Sequence, residues 1–184
     1  MAAGDFYDPG PLKHVAINLF YGWGYNFYRK ENQLRADDQL VRGKAAWLLG
    51  TARASIDAAE SAYRREFLPP PTRANPIPDP GAVAGAQAIE RLSRSVGALA
   101  SRIQGQPAPE EDRMTQRYRQ EAATLATLVE RDQILVGQAD LLRSMIDGRD
   151  GPWVLENLPA LESGVHAIET TLRDRAALLQ GMAS

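Results

Sequence analysis

The sequence predicts an all-α fold, an elongated antiparallel four-helix bundle, and three observations carry that prediction. Sustained alternating Val/Ile/Thr runs are absent from the 184 residues, so the period-two pattern of strands is missing. Apolar residues instead recur at spacings of three and four over long stretches, which places them on one face of a helix. Clusters of proline and glycine divide these stretches into four long pieces.

The first piece opens at Asp8-Pro9-Gly10-Pro11, a turn, and runs to Phe67, with Gly22 and Gly24 as weak points where it could bend. Its seam begins with Leu34, Val41 and Leu48 and continues mainly through Ala52, Ser55, Ala59 and Ala62. Small residues at a seam let helices approach closely. Pro69, Pro70 and Pro71 stop it, because proline removes a helix hydrogen bond and clashes with the preceding turn. Residues 68–80, LPPPTRANPIPDP, hold six prolines and predict an extended connector.

Asp79-Pro80 reads as an N-cap followed by proline at the first helical position. The second helix then runs to about Gln104, with Ile89, Leu92, Val96, Leu99 and Ile103 as its seam, before Gly105 and Pro107 end it. Pro109-Glu110-Glu111-Asp112 opens a third helix, its acids placed where the helix dipole favours negative charge. That helix is expected to reach Asp147, with Leu125, Leu128, Leu135, Leu142 and Ile146 inward. Asp147 to Gly151 is a tight loop, and Pro152 to Asn157 a short helical turn. Pro159 fits the first turn of a fourth helix reaching about Gln180, with Leu158, Leu161, Val165, Ile168, Leu172 and Leu179 on its seam. The whole chain, 1–184, reads as one domain with an N-terminal aromatic segment, 1–28, and the connector 68–80.

Composition excludes several function classes. The net charge of −2 gives no global electrostatic case for nucleic acid. The chain has no cysteine, hence no disulfide, thiolate metal site or cysteine nucleophile. Eighteen Arg stand against three Lys, with abundant Ala, a composition that fits a GC-rich bacterial genome. The most apolar N-terminal run, Val15 to Tyr28, is interrupted by Asn18, Gly22, Gly24 and Asn26. It falls short of the roughly 20 residues that span a bilayer and lacks a signal-peptide cleavage pattern. A cytoplasmic chain without membrane contact is expected.

The stretch Phe20 to Tyr28, FYGWGYNFY, holds six of the thirteen aromatic residues. On a helix, Phe20, Trp23 and Phe27 share one face, and Tyr21, Tyr25 and Tyr28 share the next. Together they exceed the width of a bundle seam, and large exposed apolar surfaces mark interfaces. The segment either caps its own bundle, pairs with a second copy, meets a different protein, or lines a small-ligand or cofactor pocket. The homodimer is the expected use. The adjoining RADDQLVR stretch, where Asp37 and Asp38 sit between Arg35 and Arg42, reads as a solvated helix face that extends the interface.

Two acids, Glu121 and Asp132, fall on the leucine seam of the third helix, and buried charges need partners. An antiparallel fourth helix predicts the pairs Asp132 with His166 and Glu121 with Arg175, either as register-fixing contacts or as a pH-responsive site. Catalytic and cofactor templates do not close. Gly22-Trp23-Gly24 lacks the strand and the third glycine of a dinucleotide loop. Neither His14 nor His166 has Glu three residues before it, as di-metal bundles require. The residues after His166 lack the basic residue and glycine of phosphotransfer bundles. No cofactor and no metal are expected, and the chain reads as a non-enzymatic structural or adaptor protein.

Overall fold

The computed structural model describes residues 3–21, 34–73, 76–106 and 122–183, and every regular element among them is helical. A 3₁₀ turn, Ala3–Tyr7, precedes α1, Pro9–Tyr21; α2 spans Leu34–Phe67 and α3 Pro80–Gln104. α4 covers Ala122–Ile146, α5 Gly151–Glu156 and α6 Leu158–Ala183. Gly22 and Gly24, and the expected helix start at Pro109, lie outside the described residues.

The stop and start signals act as their chemistry dictates. α2 ends at Phe67, two residues before Pro69. The Asp79 carboxylate accepts from the Ala82 N–H at 2.7 Å, with Pro80 opening α3. Asp150 does the same for α5, accepting from the Trp153 N–H at 2.9 Å. Each satisfies one of the orphan amides of a helix start. Gly148 takes φ 67° in the turn between α4 and α5, a conformation that costs glycine no Cβ strain.

Packing is helix on helix throughout. α2 is the central element, packed most extensively on α3 and also on α4, while α1 lies on α4 and α4 on α6. Along the α2–α3 contact, Arg42 donates to the Gln104 carbonyl, Ser93 to Asp57, and Arg64 to Glu90. Partner numbers thus fall along α3 as they rise along α2. The α3 seam is buried as its periodicity requires, from Ile89 to Ile103. α2 buries more than one stripe, including Val41, Ala45, Leu48, Leu49, Ala52 and Ile56, because it has neighbours on two sides. Phe6, fully buried, carries no periodic signature in the sequence and joins the core from the 3₁₀ turn. No helix among the described residues is long and apolar enough to cross a membrane.

Candidate functional site

The most unusual chemistry in the fold is a buried ionic centre at the end of the molecule where α2 begins. Arg175 of α6 is fully buried, as are Asp132 of α4 and Asp38 of α2. The Arg175 Nε donates to Asp132 Oδ1 at 2.6 Å, and its Nη2 donates to Asp38. Arg42, one turn along α2 and also buried, sets its Nη2 2.7 Å from the second Asp38 oxygen, Oδ2. Its Nη1 donates to the carbonyls of Gln104 and Gln106, at and just beyond the end of α3. One connected set of charges therefore joins α2, α3, α4 and α6.

The electrostatics follow from burial and proximity. Burial is the largest influence on Arg175 and opposes its charge. Asp132 and then Asp38, by proximity and by hydrogen bonding, outweigh it and hold the guanidinium pKa above its ordinary value. Hydrogen bonding is incomplete. Arg175 Nη1, Arg42 Nε and Asp38 Oδ2 are buried without a hydrogen-bond partner among the described residues, so the 2.7 Å approach of Arg42 to Oδ2 is an ion pair without hydrogen-bond alignment. Two arginines face two aspartates, so the opposed groups are equal in number.

Several expected site residues fall elsewhere. Asp132 meets Arg175, whereas His166 is on the exposed face of α6; the Asp132–His166 pairing is corrected accordingly. The residues of the 147–157 turn and α5 slide the register, so the cation facing Asp132 sits roughly two and a half turns beyond His166. Glu121, the expected partner of Arg175, lies outside the described residues. Asp38 was expected on a solvated face and is instead buried in the ionic centre. Phe20 was expected at an interface and is instead 2% exposed, within the core cluster. Tyr21 is 76% exposed. Trp23, Tyr25, Phe27 and Tyr28 lie outside the described residues, and the same holds for the side chains of Arg35 and Asp37.

An exposed aromatic that sequence reading passed over is Trp47, 59% exposed on α2, with the Lys44 ammonium 4.2 Å from its ring centroid. Only the outward side of α2 is free there, since Ala45, Ala46, Leu48 and Leu49 around it are buried. The signal available in sequence was Gly43 and Gly50 flanking one tryptophan on the same face. Burial, the larger influence, and then the nearby Arg143 lower the Lys44 pKa, against the pull of Asp140.

Two grooves lie elsewhere on the described surface. One, of about 310 Å³, runs between the end of α3 and α6 and is crossed by the Arg102–Glu169 ion pair. The other, of about 290 Å³, lies beside Trp153 and Arg149. Neither is lined by the ionic centre or by Phe20 and Tyr21. Among the described residues no cluster of three or more His, Asp or Glu is placed to hold a metal ion. No protein-family model matches this chain, and neither a curated protein nor a solved structure matches it.

Proposed function

We propose that this chain is a non-enzymatic structural or adaptor protein that associates through its N-terminal aromatic segment, as a cytoplasmic homodimer. The helical frame in this reading is an antiparallel four-helix bundle of α2, α3, α4 and α6. The opposed numbering of the α2–α3 contacts supports that frame, as does the tight turn that returns the chain from α4 to α6. The observation that carries the association is at the end of α1: Ile17 and Tyr21 are 42% and 76% exposed, and Tyr21 leads directly into GWGYNFY in the sequence. Exposed apolar residues leading into an aromatic-rich stretch fit a surface that a partner covers.

Light scattering over a concentration series tests this, read beside the absorbance spectrum. A colourless dimer that becomes monomeric on Trp23→Ala is the expected result. A monomer at every concentration would refute it. The second reading, a small-ligand or cofactor pocket at the aromatic stretch, predicts absorbance beyond the aromatic band in the same spectrum.

A further inference from the structure

Residues 3–21 are seated against α4 and α6. Among the described residues, α1 makes its substantial packing with α4 and the 3₁₀ turn with α6, whereas α4 also has α2 and α6 as neighbours and α6 also has α3 and α4. Taking the segment away therefore leaves each of these helices packed against others. The seat is cut into two helices. A Cβ on Gly137 of α4 would lie 2.7 Å from the Leu12 carbonyl carbon, so the α1 backbone occupies the space of a side chain. A Cβ on Gly164 of α6 would lie 2.7 Å from Cε1 of the Phe6 ring. Glycine weakens a helix interior relative to alanine, so α4 and α6 each give up helix stability where the segment enters. Phe6, Leu12, Ala16 and Phe20 carry the apolar hold, all of them buried. At the rim Lys13 pairs with Glu130, their side chains 31% and 43% exposed, an ion pair that water weakens. Gln138 Nε2 donates to the Phe6 carbonyl at 2.9 Å, while its Oε1 is buried without a hydrogen-bond partner among the described residues. An unmet buried acceptor costs free energy, and departure of the segment lets water reach that amide.

We infer that residues 3–21 form a strap that leaves its seat on α4 and α6 and returns to it as one unit while α2, α3, α4 and α6 stay folded. Closing is favoured by the four apolar anchors. Opening is favoured by the backbone freedom the segment regains and by rehydration of Gln138. The two states are thereby set close enough in free energy for local opening to precede unfolding of the rest. Gly137 is the gate. At Gly164 the obstructing atoms belong to an aromatic side chain, whereas at Gly137 they are main chain and cannot yield without moving α1 itself. A methyl group at 137 makes α4 a better helix and denies the strap its seat. Ile17 and Tyr21, whose exposure carries the proposed association, are on the strap, so opening displaces them as well. The opening involves one chain only and holds for a monomer or a dimer.

Hydrogen exchange of the full chain, read by mass spectrometry, tests this first without any substitution. Peptides from residues 3–21 are expected to exchange faster than those from α2 and α3, yet slower than an unstructured chain. Their rates should also respond less steeply to low concentrations of urea than those of α3, because local opening exposes less surface than global unfolding. Equal rates in the strap and in α3 would mean that the segment leaves only when the whole fold does. Absence of any protection would mean that the segment is not seated. Either result overturns the inference. Two variants then locate the gate and the unit. Gly137→Ala is expected to lower protection of residues 3–21 at least about tenfold while α2 and α3 keep theirs. Strap protection left unchanged, or protection lost equally from every helix, would refute the gate. Phe6→Ala is expected to lower protection over residues 9–21 as much as over 3–7, and an effect confined to 3–7 would refute a single unit.

Discussion

Two of the places where arginine meets carboxylate in this molecule differ in nearly everything except the chemistry. Around Arg175 the pairs with Asp38 and Asp132 are out of water entirely. Along the outer edge of α2 and α3, Arg64, Arg94, Glu60 and Glu90 form a chain of ion pairs with Arg64 and Arg94 46% and 70% exposed. In water the Coulomb attraction is small and salt screens it. Out of water the attraction is large, but so is the cost of removing each charge from solvent. The buried set therefore adds little net stability compared with apolar packing of the same volume. It does make each member indispensable to the others.

That contrast can be broken most forcefully at its centre. Arg175→Met removes the guanidinium that two buried carboxylates share and is expected to cost about 3–5 kcal/mol, read as a lowered urea midpoint. Combining Asp132→Asn with Arg175→Met removes one charge of each sign, leaves the Asp38–Arg42 pair in place, and is expected to recover most of that loss; a double variant no better than the single one would mean the Arg175–Asp132 pair stabilises the fold outright. Between the extremes sits Lys13–Glu130. A hydrogen bond from Lys13, then its charge, holds the Glu130 pKa below its ordinary value of 4.5. A depressed carboxylate stabilises above its unfolded pKa, and that stabilisation is lost as pH falls through the lower folded value. Amide protection in α1, taken relative to the intrinsic exchange rate at each pH, should therefore fall below about pH 4.5, and Glu130→Gln should abolish that step. Smallest of all, Glu90→Gln on the exposed chain should leave the urea midpoint unchanged within error, at low salt or in 1 M salt.

The same contrast explains what sequence could and could not reveal. Asp79-Pro80 and Asp150 announce helix starts through local chemistry alone, and the α3 seam from Ile89 to Ile103 follows its period. Asp38 and Arg42 four residues on look, in sequence, like any solvated helix pair such as Glu60 and Arg64. What buries the first pair and exposes the second is the packing of α4 and α6 over the start of α2, which no local pattern encodes. Pairing of Asp132 with a cation on the last helix was readable from its place on a leucine seam. The identity of that cation depended on the residues taken up between α4 and α6. Phe6 was invisible for a different reason: a single anchor has no periodicity, and its socket is written as two glycines, Gly137 and Gly164, inside otherwise ordinary helices.

The ionic centre also bears on how the chain is made. Asp38 and Arg175 are 137 positions apart, and Asp132 precedes Arg175 by 43. On a translating ribosome the two carboxylates emerge well before the arginine that lies between them. At ~5–20 residues per second, Asp132 waits some seconds for Arg175. Until then closing α2 and α4 over that end would bring Asp38 and Asp132 together with, among the described residues, Arg42 alone as counter-charge. The α2–α3 contact has no such dependence, since its partners are synthesised close together. The nascent protein thus acquires its first helical pair early and seals its far end only when the last helix arrives. A chain terminated before residue 175 would carry the two acids without the arginine that joins them.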